Sequence, residues 1–169
     1  MNETKIAIIG YSGSGKSTLV KKLGQRYMCE VLHLDCVHWL PGWRERDRVE
    51  MNKHVAHFLD SHDSWVIDGN YSAACYERRM EESTQIIFLD FPRRICLIRV
   101  IKRYLAYRGT TRESITSGCE EKIDREFLWW IIYKGRNKEH KQKYCNVCKK
   151  YSGKMVVLKS PRAVRAFLS

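Results

Sequence analysis

Short apolar runs alternate with longer amphipathic stretches from one end of the chain to the other, and no internal repeat or Gly/Ser/Pro-rich linker interrupts them. That alternation predicts an α/β fold built on a parallel sheet. Lys5–Ile9 reads as a first buried strand, and Lys16–Met28 as a helix with Leu19, Val20 and Leu23 on one face. A second strand, Val31–Leu34, ends at Asp35, followed by an irregular, aromatic-rich stretch over Cys36–Arg46. Asp47–Leu59 carries Val49, Val55, Phe58 and Leu59 at helical spacing, and the strand Trp65–Ile67 stops at Asp68-Gly69-Asn70. A short helix over Ala73–Met80 precedes a fourth strand, Gln85–Leu89, which ends at Asp90. Pro92 suits a first helical turn and opens a helix that runs out by Gly109. A polar, aperiodic stretch follows to Glu121, and a second long helix begins at Asp124. The strand Met155–Leu158 and a helix after Ser160-Pro161 close the pattern. In open parallel sheets ligands bind outside the carboxyl ends of the strands, so Gly10, Asp35, Asp68 and Asp90 are expected at one edge.

Length sets the scale of this fold. A chain of 169 residues, 44% of them hydrophobic, buries enough surface for one core, so residues 1–169 are expected to form a single domain. Ile6–Ile9 is too short for a secretory apolar region or a membrane span, which points to a cytoplasmic protein. Seven scattered cysteines read as reduced, mostly buried thiols rather than a disulfide framework.

The strongest chemical signal is Gly10-Tyr11-Ser12-Gly13-Ser14-Gly15-Lys16-Ser17, which matches G-x-x-x-x-G-K-[ST] between a strand and a helix. Gly10, Gly13 and Gly15 let successive amides, including those of Ser12 and Ser14, turn inward around a phosphate. The helix N-terminus adds its positive dipole end. Lys16 supplies a mobile cation for the β and γ phosphates, and the Ser17 hydroxyl, beside Thr18, is placed for Mg²⁺. ATP and Mg²⁺ are therefore the expected cofactors. No Asn-Lys-x-Asp guanine-reading motif is present, and the size favours a small ATP-dependent phosphotransferase.

Further motifs extend the pattern: Leu32-His33-Leu34-Asp35, His38-Trp39, Pro41-Gly42-Trp43, Trp65-Val66-Ile67-Asp68-Gly69-Asn70-Tyr71, Ile86-Ile87-Phe88-Leu89-Asp90-Phe91-Pro92-Arg93 and Tyr107-Arg108-Gly109-Thr110-Thr111-Arg112. With the P-loop, they make the chain resemble the nucleoside monophosphate kinase group of P-loop proteins and, more closely, the adenylate-kinase-like topology-modulation family. The resemblance implies a three-layer fold with a five-stranded parallel sheet in the order 2-3-1-4-5, helices on both faces and a mobile lid. It also implies that Asp68 helps order the Mg²⁺ hydration shell. Adenylate kinases carry Phe-Pro-Arg after the glycine where this chain has Asn70-Tyr71, so the resemblance does not extend to an AMP acceptor.

Asp35 stands where small-molecule kinases carry a residue facing the acceptor. It takes a proton if the acceptor is a hydroxyl, and positioning suffices if the acceptor is a phosphate. A helix cap or turn role is the alternative for Asp35, Asp68 and Asp90. The aromatic loop at 38–43 either stacks on an acceptor or plugs a small core, within an acceptor-facing segment of about 35–63. His33 reads as a core or sheet-end histidine. Arg99 and Arg103 share a helical face, and Arg108 and Arg112 bracket Gly109-Thr110-Thr111. Closing over the transferring phosphoryl, Arg103 and Arg108 are the expected catalytic arginines, with the lid at about 106–124.

Charge adds a competing reading. Lysine and arginine total 31 against 19 acids, a formal +12, and eight of the cations fall between Lys134 and Lys154 against Glu139 alone. Such a stripe attracts polyanions, so an ATP-dependent nucleic-acid-associated regulator is the alternative to a kinase, and a solvated helix face is the plainer account. Cys145-Asn146-Val147-Cys148 has half the spacing of a zinc site and no second half.

Overall fold

Why the apolar runs become strands is visible in their burial. Along β1 (Lys5–Gly10), β5 (Trp65–Asp68) and β6 (Gln85–Leu89), consecutive residues are buried rather than alternate ones. This is the pattern of strands covered on both faces. The computed structural model describes residues 3–169. The remaining strands are β2 (Glu30–His33), a two-stranded antiparallel hairpin of β3 (Trp39–Leu40) and β4 (Arg44–Glu45), and β7 (Met155–Leu158). The five-stranded sheet runs β2-β5-β1-β6-β7, all parallel. Counted without the hairpin, this is the 2-3-1-4-5 order expected above.

The helices are α1 (Lys16–Tyr27), α2 (Leu34–His38), α3 (Arg48–Ser61), α4 (Tyr76–Glu82), α5 (Arg93–Tyr107), α6 (Arg125–Ile132), α7 (Lys138–Lys150) and α8 (Pro161–Leu168). Local chemistry sets their starts. The Asp47 carboxylate accepts from the Val49 and Glu50 amides, and Ser160 accepts from the Ala163 amide ahead of α8, whose first residue is Pro161. The core joins Ile6–Ile9, Leu19, Val20, Leu23, Val55, Trp65–Ile67 and Ile86–Leu89, all nearly or wholly buried.

Three expectations are corrected. The irregular stretch after β2 contains helix α2 and the 39–45 hairpin, so Asp35 lies in the first turn of a helix rather than at a strand end. The second long helix is two helices. Tyr133 leaves helical geometry at φ −123°, a 3-10 turn spans Lys134–Arg136, and the Asn137 side chain caps α7 by accepting from the His140 amide. That break turns Arg136 into the interior, where it is 8% exposed, so the basic run is not one continuous solvated face.

Candidate active site

At the carboxyl edge of β1 the chain turns through three glycines with φ of 148° at Gly10, 78° at Gly13 and 94° at Gly15. A Cβ at Gly13 would lie 2.6 Å from the Cys96 carbonyl oxygen, and one at Gly15 would strike the Arg99 guanidinium. Positive φ and close approach together require glycine at these two positions. The result is a loop that wraps the start of α1, where the helix dipole favours an anion, but the Ser14 amide, expected to face a phosphate, donates instead to the Tyr11 carbonyl at 3.1 Å and tightens the turn. Within it the Lys16 ammonium donates to the carbonyls of Gly10 at 3.0 Å and Tyr11 at 3.3 Å. Burial lowers the Lys16 pKa, and the nearby carboxylates of Asp68 and Asp35 oppose that shift. The Ser14 hydroxyl is buried in the same loop without a hydrogen-bond partner among the described residues.

The loop is clipped from behind by Asn70. Its amide donates to the Gly10 carbonyl at 2.7 Å, and its carbonyl accepts from the Gly10 N–H at 3.1 Å. Asn70→Ala is expected to cost about 1–2 kcal/mol in urea unfolding, from two lost neutral hydrogen bonds. An unfolding midpoint and slope equal to wild type would show that water replaces the clip.

Asp68 is 5% exposed at the end of β5. One carboxylate oxygen accepts from the Ser17 hydroxyl at 3.1 Å and the other lies 2.8 Å from His33 Nδ1. His33 and Asp68 are register partners across β2 and β5, so the sheet itself makes the second contact. His33 is thus at the sheet end, as expected, but it also holds Asp68. Ser17 and Asp68 present two hard oxygens at the foot of the cradle, which fits Mg²⁺, an ion held through one or two carboxylates with substrate phosphates completing its shell. Among the described residues no group of three or more His, Cys, Asp or Glu is arranged to hold a metal, Cys145 and Cys148 included.

In the same cleft Asp35 accepts a 2.7 Å hydrogen bond from the Tyr71 hydroxyl, and its other oxygen lies 3.6 Å from Arg112 Nη2. Burial, reinforced by Asp35, pushes the Tyr71 pKa up, so the phenol stays a donor. Arg112 also lies 3.1 Å from Glu121, and Arg103 donates to the same carboxylate at 2.7 Å. Burial lowers the Arg103 pKa, with Arg112 adding to the shift and Glu121 opposing it. Beside this network His38, Trp39, Trp43 and Tyr71 form a chain of rings with centroids 4.5–5.3 Å apart. Burial lowers the His38 pKa against the pull of Glu45 and Asp35. The 106–124 segment is docked on this wall: Gly42 N–H donates to Gly118, Trp43 Nε1 to Glu120, and Thr116 Oγ1 to the Cys36 and Trp39 carbonyls.

One cleft of about 1910 Å³ therefore joins Ser12, Gly13, Gly15, Lys16, Ser17, Thr18, Asp35, Asp68 and Arg103. That exceeds the roughly 300–1,000 Å³ of a single-ligand pocket and leaves room for two substrates. Asp90 is not among its lining residues, and neither is Arg108. Arg108 is exposed and paired through its backbone in an isolated bridge with Glu121, while Arg112, four residues on, lines the cleft. Three of the lining residues that went unmarked in the sequence as site residues shape the site. Tyr71 holds Asp35, Glu121 joins the two arginines, and Arg136 lies 3.6 Å over the Tyr11 ring while donating to the Phe91 carbonyl at 2.7 Å. Of the basic run, Lys134, Lys138, Lys141, Lys143, Lys149 and Lys150 remain exposed, and Lys154 donates to the Glu81 and Ser83 carbonyls. No helix among the described residues is long and apolar enough to cross a membrane.

Compared by sequence, the chain matches no protein-family model and no curated protein. Compared by structure, it is similar to deoxyadenosine kinase from M. mycoides with bound dATP, at 14% identity and a TM-score of 0.54 over 98% of this chain and 97% of that one. It is similar also to shikimate kinase from Bacteroides thetaiotaomicron, at 17% identity and 0.53 over 98% and 94%. Shikimate kinase from Acinetobacter baumannii, in complex with shikimate, aligns at 14% identity and 0.52 over 99% and 89%. At these identities the likeness speaks for architecture, and the chain has the α/β fold of P-loop kinases, with a five-stranded parallel sheet and the phosphate loop after its first strand.

Proposed function

We propose that this chain is an ATP-binding, Mg²⁺-dependent phosphotransferase of the adenylate-kinase-like type, akin to the topology-modulation family that its motifs resemble. The observation that carries the reading is the one cleft that Lys16, the Ser17–Asp68 pair and Asp35 all line. In this reading the loop amides and Lys16 hold the donor phosphates, and Ser17 with Asp68 holds Mg²⁺. Bound there, Mg²⁺ supplies charge neutralisation across the β and γ phosphates. His33 fixes the Asp68 carboxylate from behind, as partners one shell out commonly orient ligands. Arg99, Arg103 and Arg112 line the space over the transferring group, and the docked 106–124 segment screens it from water. Asp35, within the acceptor-facing 35–63 segment, meets the acceptor.

The test is ADP release with Mg²⁺ and ATP across nucleosides, nucleoside monophosphates and other small acceptors, with and without DNA. One acceptor should raise turnover at least about tenfold, or roughly 1.4 kcal/mol of barrier. For a hydroxyl acceptor, Asp35→Asn is expected to lower kcat by about 10²–10⁴-fold with the KM for ATP little changed. Turnover raised by DNA and by no small molecule would replace this reading with the nucleic-acid-associated one, which the six exposed lysines at 134–150 would serve.

A further inference from the structure

We infer that the acceptor is an uncharged, hydroxyl-bearing molecule of the nucleoside type, and that Glu121 is the residue that turns phosphorylated acceptors away. The inference rests on the phosphotransferase reading and follows from which cations in the cleft are already neutralised. Lys16 is bonded to loop carbonyls, and Arg99 lies over the Phe91 ring at 5.7 Å. Neither is paired with a carboxylate among the described residues, so both are left for the donor phosphates.

Next to Asp35, where the acceptor meets the transferring group, the position is reversed. Arg103 directs Nε and Nη2 to one oxygen of Glu121 at 2.7 and 2.6 Å, and Arg112 Nε lies 3.1 Å from the other oxygen as an ion pair without hydrogen-bond geometry. Arg112 Nη2 faces Asp35, and Arg46 is bonded to Glu50 and the Val37 carbonyl. Glu121 is 2% exposed at its side chain, so water screens this pairing little. Arg103 and Arg112 with Glu121 and Asp35 sum to a net charge of zero. A phosphomonoester brings between −1.5 and −2 charges, roughly, and would meet the Asp35 and Glu121 carboxylates with no spare cation between them. The acceptor-side cations without a carboxylate partner among the described residues are both exposed: Arg48 at the start of α3, and Lys122, whose ammonium lies 5.2 Å from the centre of the Trp43 ring.

An uncharged acceptor meets no such repulsion. Asp35 has one oxygen fixed by Tyr71, and the other, 3.6 Å from Arg112, is beyond hydrogen-bond distance and open to a hydroxyl proton. The wall next to it is aromatic, and a flat base stacks on such rings. In the step implied, the acceptor oxygen bonds to the γ-phosphorus as the bond from that phosphorus to the β,γ-bridging oxygen breaks. ADP leaves with that electron pair, and the hydroxyl proton passes to Asp35 and then to water.

The experiment measures kcat/KM of the full chain with Mg²⁺ and ATP for adenosine, 2′-deoxyadenosine, cytidine and thymidine against their 5′-monophosphates. Wild type should favour the nucleosides by at least about tenfold. Glu121→Gln keeps the shape and changes the net charge to +1, so it should narrow that ratio by about tenfold through better use of monophosphates. Arg103→Gln changes the charge to −1 and should widen it, a reciprocal test that holds even if Glu121→Gln does not fold. Monophosphates preferred by wild type would overturn the inference and leave the phosphotransferase standing, as would an acceptor found only outside the nucleosides. ADP release raised by no acceptor at all would overturn both. A ratio unmoved by either variant would remove the role given to Glu121.

Discussion

Lys16→Ala is expected to cut ATP turnover by about 10²–10³-fold, the loss seen when a preorganised charge or donor is taken from a developing oxyanion. The size of the effect follows from where the ammonium sits. It is half-buried against loop carbonyls, with Asp68 and Asp35 as nearby carboxylates and no competing ion pair among the described residues. Removing it leaves the cradle with amides alone against the β and γ phosphates. A second consequence concerns pH. Burial lowers the Lys16 pKa from its ordinary value, and phosphate binding needs the protonated form, so kcat/KM for ATP falls as pH rises through that lowered value. Bound phosphates favour the charged ammonium and raise the pKa again, so the alkaline limb of kcat should lie at higher pH than that of kcat/KM. Isothermal titration in two buffers of different ionisation enthalpy should then show proton uptake when ATP binds at alkaline pH. Lys16→Ala turnover within about twofold of wild type would remove the P-loop from the chemistry altogether.

The cradle can be read from the sequence because its requirements are local. Gly13, Gly15 and Lys16 lie within four positions, and a strand before them and a helix after them suffice to shape the loop. The three central strands β1, β5 and β6 are equally legible, since strands buried on both faces are written as unbroken apolar runs, whereas the edge strands β2 and β7 are partly exposed. The 39–45 hairpin is not, because two residues per strand are too few for any periodicity. Glu121 is hidden for a different reason. It ends a polar, aperiodic stretch, and its value comes from Arg103, 18 residues away on α5, and from Arg112, which only folding brings to the same carboxylate. Arg108 and Arg112 look alike in the sequence, flanking the same glycine turn. Only folding separates them: Arg112 meets Asp35 and Glu121 in the cleft, and Arg108 stays exposed beside it. Arg136 stands among lysines and looks like one more solvated cation. The helix-breaking pair around it, Gly135 and Asn137, is the local sign that the chain turns there, and the cation over the Tyr11 ring is a tertiary fact.

Arg79→Met is expected to lower the unfolding free energy by about 2–4 kcal/mol, the largest stability effect anticipated for a residue outside the hydrophobic core. Arg79 is wholly buried on α4, and its guanidinium is held by main-chain carbonyls rather than an acid. Nε donates to Ala74 at 2.6 Å, Nη2 to Tyr71 at 3.0 Å, and Nη1 reaches Gly69 at 3.5 Å. Burial lowers its pKa to about 10, and the guanidinium remains charged at neutral pH. Two effects oppose each other on substitution. Methionine relieves the cost of a buried charge, which on its own makes an apolar replacement neutral or favourable. It also leaves buried carbonyls of the 69–74 loop without donors, at roughly 1–3 kcal/mol each. The carbonyls win because they belong to a loop with no regular structure of its own to satisfy them, whereas the charge is already met by three oxygens. Arg79→Lys separates the two terms: it keeps the charge but has no planar fork to span the loop, so it should recover only part of the loss. The same loop carries Asn70 and Tyr71, which clip the P-loop and hold Asp35, so the methionine variant should also raise the KM for both substrates at temperatures where it stays folded. Urea unfolding of the three proteins decides the matter. A methionine variant as stable as wild type would mean that water enters to serve the carbonyls, and the arginine would then be incidental to the geometry of the site.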